Sequence, residues 1–197
     1  MIDFTLTDEQ QMLVEMTRSF VEKEMLPHEE TLESTDTLPP ELAASLRKRS
    51  MELGLHACNL PEKIGGGGLD AVSVMLIEKE LGRTSLALAE CAHRPLNILA
   101  ACEDEQVTQF LEPTLRGEKR DCIAMTEPGA GSDLRGMKCK AVRDGGYWII
   151  NGEKHFISQA FISDFCVLFA ATGEEKTNKG IKKLISAFLV DFSDPGV

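Results

Sequence analysis

Through about residue 117 the apolar side chains return at helical spacing, and from Asp121 onward they shorten into runs separated by Gly, Asp and Asn. Thr7-Asp8-Glu9-Gln10 has the form of a capping box, and Leu13, Met16, Phe20 and Val21 follow on one face, which predicts a first helix ending near Pro27. Pro39-Pro40 opens a second, with Leu42, Leu46 and Leu53 in its stripe and Gly54 suited to the left-handed residue after a helix end. Asp70 caps a third, in which Val72, Val74, Met75, Leu76, Ile77 and Leu81 leave little polar surface, so burial on several sides is expected, and Gly82 stops it. Segments 85–92, 95–101 and 104–115 continue the helical pattern, broken at Pro95 and Pro113. Between the second and third helices, Gly65-Gly66-Gly67-Gly68 predicts a mobile or tightly turned loop.

The second part reads as strands over 121–125, 138–142, 147–150, 155–158, 165–171 and 184–190. Arg143-Asp144-Gly145-Gly146 and Asn151-Gly152 read as hairpin turns, since Gly and Asn tolerate the positive φ such turns need. The fold class expected is α+β: an α-helical domain over 1–118, then an antiparallel β-barrel or sandwich domain over 119–197. Six strands ending at Pro195-Gly196-Val197 leave an edge and a face to cover, so the compact domain is expected to continue beyond them.

Apolar residues are 43% and charged residues 27% of the 197, ordinary globular usage. The net charge of −11 repels phosphate backbones and anionic lipid surfaces, which disfavours nucleic acid and membrane as partners. Met1-Ile2-Asp3-Phe4 lacks the basic start of a secretory signal and no apolar run has the length of a membrane span, so a reducing, cytoplasmic setting is expected. Cys58, Cys91, Cys102, Cys122, Cys139 and Cys166 are dispersed, as are the four histidines, which favours buried free thiols and no metal.

The most informative stretch is Thr126-Glu127-Pro128-Gly129-Ala130-Gly131-Ser132-Asp133. Its Gly129-x-Gly131 is not a dinucleotide fingerprint, because Leu134 stands at the third glycine position and the next element reads as a strand; a P-loop fails because Gly-Lys-Ser/Thr is absent. What remains is a loop whose small residues let backbone approach a ligand while Thr126, Ser132 and turn amides offer donors. A plain exposed turn fits the composition equally well. In 155–158, Phe156 and Ser158 share one face of the expected strand, suiting a planar ligand with heteroatoms or an ordinary half-buried face. Glu62 reads as a catalytic carboxylate or a solvated one, and His93-Arg94 as an anion contact or a helix-end charge pair.

Taken in order, the helical half, Leu60-Pro61-Glu62-Lys63-Ile64-Gly65-Gly66-Gly67-Gly68-Leu69, Met125 to Asp133, and Ile150-Asn151-Gly152-Glu153-Lys154-His155-Phe156-Ile157-Ser158 resemble the acyl-CoA dehydrogenases over essentially the whole chain. The resemblance implies FAD as cofactor, lined by Ile123, Ala124, Met125, Thr126 and Ser132, with Thr126 near the flavin ring and Ser132 near flavin or acyl-CoA phosphates. It places Phe156, Ile157 and Ser158 in a second flavin segment, the Ser158 hydroxyl close to flavin N5; the family more often carries Trp and Thr where Phe156 and Ser158 stand. The implied activity is α,β-dehydrogenation of an acyl-CoA to a trans-2-enoyl-CoA in fatty-acid β-oxidation, with electron-transfer flavoprotein as acceptor and a homo-oligomer, dimer or tetramer, as the assembly. Family members carry the catalytic base in a second helical domain after the β-domain, so no catalytic residue is expected in this chain. Two alternatives keep the fold: a related flavin oxidase or monooxygenase, and a non-catalytic flavin- or acyl-CoA-binding subunit completed by a partner chain.

Overall fold

The computed structural model describes residues 5–178 and 180–197, so the expectation placed on Met1–Phe4 lies outside the described residues. The chain folds as two compact units that divide between Glu118 and Lys119.

In the helical unit α1 (Asp8–Phe20) starts at the expected capping box: the Thr7 hydroxyl accepts from the Gln10 amide and the Gln10 side chain accepts from the Thr7 amide, both at 3.2 Å. Its α geometry ends before Pro27. The chain widens through a π-turn over 21–25, tightens over 26–28, where proline's missing N–H costs nothing, and resumes as α2 (Glu29–Thr35). α3 (Pro40–Glu52) begins at the paired prolines and is followed by Gly54 at φ 71°. α4 (Ala71–Leu81) is capped by the Asp70 carboxylate, which accepts from the Val72 and Ser73 amides. Two short helices, α5 (Leu86–Ala89) and α6 (Glu112–Leu115), complete the unit, with tight and wide turns between them. Phe20, Val21, Met25, Leu46, Leu55, Ile77, Leu81 and Leu88 form its core.

One expectation is revised here, and one left with two forms is narrowed to its second. α4 is not buried on several sides: Ser73, Ile77, Glu80 and Leu81 face inward, whereas Val72 and Met75 are 56% and 65% exposed. The glycine run is a tight turn rather than a mobile loop. The amides of Gly66, Gly67 and Gly68 donate to the carbonyls of Pro61, Ala57 and Leu60, and a Cβ on Gly66 would stand 2.2 Å from the Leu60 carbonyl oxygen.

Inside this unit the Glu80 carboxylate is 2% exposed and bound by both Arg18 (3.0 and 2.9 Å) and Arg83 (3.2 Å), joining α1 to α4. The Arg18 hydrogen bonds hold its carboxyl below the ordinary value of 4.5 against the cost of burial.

The second unit holds one mixed, open sheet of five strands, β1 (Asp121–Ala124), β2 (Lys140–Asp144), β3 (Tyr147–Asn151), β4 (Phe165–Thr177) and β5 (Gly180–Asp191). This corrects the antiparallel barrel or sandwich. β1 runs parallel to β4 (Cys122 opposite Cys166), β2 meets β4 in parallel at Lys140 and Ala171, and the hairpins β2–β3 and β4–β5 are antiparallel. Parallel pairing needs long connections, and the chain supplies them in 125–139 and 152–164. Segment 155–158 is not a sixth strand: Phe156 lies at φ 56° and Gln159 at φ 64°, both incompatible with a ladder. Gly145-Gly146 makes the expected hairpin, but Asn151-Gly152 takes the chain out of the sheet instead of turning it back. Met137, Cys139, Ala141 and Ala170 form one core cluster, and Cys122, Ala124 and Cys166 another.

Replacing Glu80 with Ala is expected to cost about 2 kcal/mol at neutral pH, the worth of hydrogen bonds to a charged group, read as a lowered urea midpoint. Because the folded carboxyl is depressed, its contribution is complete above pH 4.5 and is lost as pH falls through the lowered value, so the gap between variant and parent should close in acid.

Candidate functional site

The two long connections of the sheet meet at a buried ion pair. Glu127 follows β1 by a few residues and is 6% exposed; its carboxylate accepts from the amides of Lys138 (2.6 Å) and Cys139 (3.0 Å) and from Lys154 Nζ (2.9 Å). Lys154, whose side chain is 8% exposed, also donates to the Met125 carbonyl at 3.0 Å. Burial works against the Glu127 charge, but the Lys138 amide, the Lys154 ammonium and the Cys139 amide outweigh it and hold the carboxyl below its ordinary value. A main-chain bond from the His155 amide to the Thr126 carbonyl (2.8 Å) lies beside this pair. Gly152 permits the approach, because a Cβ there would fall 2.5 Å from Cys139 Cα.

Glu127 also closes a narrow turn by exchanging main-chain hydrogen bonds with Ala130 at 2.9 and 3.1 Å. Beyond it, the amides of Gly129, Gly131 and Ser132 donate to no protein acceptor among the described residues, and nothing lies within 4 Å of a Cβ built on either glycine. The turn therefore presents unused N–H donors beside the exposed Ser132 hydroxyl, a donor set suited to a phosphate oxygen.

The sequence-derived residues fall into three groups. Ile123 (43% exposed), Ser132, Phe156 (82% exposed) and Ser158 are open to a ligand; Thr126 is half-buried. Met125 and Ile157 are half-buried against the two core clusters. Ala124 is 3% exposed within the sheet core, so its side chain meets protein only. Phe156 and Ser158 are both accessible, yet not through strand alternation: Phe156 lies on His155 with ring centroids 3.7 Å apart and planes 21° from parallel. Glu62 is an exposed turn carboxylate, and Arg94 donates to Glu78 through two hydrogen bonds.

Glu127 and Lys154 do not follow from the residue pattern. A carboxylate before Pro-Gly and a lysine after Asn-Gly have the same local signature as solvated loop charges, and only the fold pairs them across a separation of 27 positions.

The family description "Acyl-CoA dehydrogenase, N-terminal domain" matches residues 7–118, and "Acyl-CoA dehydrogenase, middle domain" matches 122–197. The chain belongs to the acyl-CoA dehydrogenase family. It is 35% identical to the short-chain specific mitochondrial acyl-CoA dehydrogenase of Rattus norvegicus, over 98% of this chain and 46% of that protein. It is 32% identical to the caffeyl-CoA reductase–Etf complex subunit CarC of Acetobacterium woodii, over 97% of this chain and 50% of that one. Among solved structures, the acyl-CoA dehydrogenase of Bacillus anthracis complexed with FAD matches with a TM-score of 0.78 at 29% identity, covering all of this chain and 33% of the other. The chain spans about half the length of the curated relatives it matches. No helix among the described residues is long and apolar enough to cross a membrane.

Lys154→Met strands the buried Glu127 carboxylate and should cost about 3–5 kcal/mol, the usual penalty for breaking a buried pair from one side. The double variant Glu127→Gln/Lys154→Met should recover part of this, giving a non-additive cycle in urea denaturation.

Proposed function

We propose that the 119–197 unit forms one wall of an FAD site and that the whole protein is an FAD-dependent acyl-CoA dehydrogenase of fatty-acid β-oxidation. The observation that carries this is the joining of the turn over 126–133 to segment 152–158 through Glu127 and Lys154, with Ser132, Phe156 and Ser158 left accessible on the joined segments. The residues present fit the cofactor. The unused amides of Gly129, Gly131 and Ser132 and the Ser132 hydroxyl would take phosphate oxygens of FAD or acyl-CoA. The Phe156 ring would pack against the flavin and the Ser158 hydroxyl would donate near N5, with Thr126 beside the ring and main chain from Ile123 to Met125 along its edge. Ala124 and Ile157 would act through backbone and packing, given their burial.

Held by these residues, FAD would supply hydride-accepting chemistry toward the β-carbon of a thioester substrate. This chain's own part is to bind, orient and tune; it contributes no catalytic base in this reading. The His155 amide and the Lys154 ammonium fix Thr126 and Met125 from the main chain, so the donors keep their spacing through the reaction instead of reorganising during it. Electron-transfer flavoprotein as acceptor, a homo-oligomeric assembly and a cytoplasmic setting belong to the same proposal. The acceptor has support from the Etf complex named for the Acetobacterium relative.

The intact protein should purify yellow, and anaerobic addition of a matching acyl-CoA should bleach the flavin band; colourless protein that takes up no FAD would overturn the reading. Phe156→Ala should weaken FAD retention about tenfold through the lost ring contact, with near-parental stability because this side chain is 82% exposed.

A further inference from the structure

His155 and Phe156 are consecutive residues whose rings stack, with centroids 3.7 Å apart and planes 21° from parallel. In a strand, consecutive side chains point to opposite faces, so this contact is closed to them. Here the left-handed backbone of Phe156, at φ 56°, folds the second ring back over the first. A residue with a Cβ enters that region at a cost and persists there only where its surroundings fix the chain. On the N-terminal side they do: the His155 amide donates to the Thr126 carbonyl at 2.8 Å, and Lys154, one residue earlier, is buried against Glu127. The imidazole is thus rooted at the junction of the two connections. The phenyl ring remains 82% exposed, which leaves its face away from His155 open.

We propose that His155 is a positioning residue for the flavin, its imidazole holding the Phe156 ring in the plane against which the cofactor packs. The inference rests on the FAD reading above and concerns a side chain to which that reading gives no part through its ring. An exposed phenyl ring that turns freely about its side-chain bonds loses that freedom when it packs on a ligand, and the loss is subtracted from affinity. With the imidazole already against one face, the orientation is set beforehand, and a planar ligand on the open face completes a stack of three layers. Imidazole suits this role because two near-parallel aromatic planes attract over their surfaces, whereas an alkyl chain would meet the ring along an edge. In this arrangement the effect of His155 passes through the phenyl ring, not through a contact of its own with the cofactor.

Titration of the intact, deflavinated protein with FAD, followed by quenching of flavin fluorescence, tests this in a set of variants. His155→Ala should weaken FAD binding about threefold to tenfold, the worth of one aromatic pair, and His155→Phe, which restores a ring, should stay within about twofold of the parent. In a Phe156→Ala background, His155→Ala should change affinity by less than about twofold, because the ring it orients is gone. The visible circular dichroism of bound FAD should differ from the parent in His155→Ala and return in His155→Phe. Both side chains are exposed, so each variant should keep the parental urea midpoint. Parental affinity in His155→Ala, an equal loss in His155→Ala and His155→Phe, or the same loss from His155→Ala with and without Phe156 would overturn the proposal and leave the FAD reading standing. A parent protein that binds no FAD would overturn both.

Discussion

The buried contact between Glu127 and Lys154 is the constraint from which the second unit takes its functional shape. Two long connections leave a small sheet and each has only a short 3₁₀ turn, Leu134–Gly136 and Ala160–Ile162, as regular structure, so each carries unspent backbone freedom. Taking one carboxylate and one ammonium out of water is costly alone, and the cost is offset by further hydrogen bonds to the pair. Two main-chain amides and the ammonium reach the carboxylate, and the ammonium also holds a carbonyl. An apolar pair could fill the same volume, but it could not fix the positions of Met125, Lys138 and Cys139 through directional bonds. The ionic version specifies the arrangement of the loops more than it stabilises them.

The helical unit uses the same device at its own centre. Glu80 sits between Arg18 and Arg83, and Glu29 accepts from the Thr84 hydroxyl and the Ser85 amide, so helices distant in sequence are registered by charge as well as by their apolar stripes. Hydrophobic burial is non-directional and tolerates sliding of one helix along another, whereas a bidentate guanidinium–carboxylate contact does not. Both units thus place a carboxylate of an acidic chain inside, where it organises neighbours rather than adding to surface repulsion.

Much of the helical unit was legible because its signals are local. The capping box at Thr7, the Asp70 cap and the Gly54 termination depend on residues a few positions apart, and each occurs where the pattern puts it. The exposed side of α4 was not legible, since a nearly continuous apolar helix does not say which of its faces meets a neighbour. In the second unit the strands at 121–124, 140–144 and 147–151 were close to their pattern, but pairing direction is set by connections that short runs do not reveal. Segment 155–158 misled for a related reason: Phe and Ile carry strand propensity, yet the positive φ of Phe156 is imposed by its tertiary setting. Ser132 and Ser158 could be singled out by resemblance, whereas their supports, Glu127 and Lys154, emerge only when chain segments far apart are brought together.

β4 continues well past the last residue that β1 or β2 pairs, so from Gly173 to Thr177 its pairing among the described residues is with β5. A two-stranded ribbon without flanking strands draws little on the core beneath the rest of the sheet and twists more freely than a wider one. The unit therefore bears a cantilever: firmly rooted at the cysteine-lined base, increasingly compliant toward its free end.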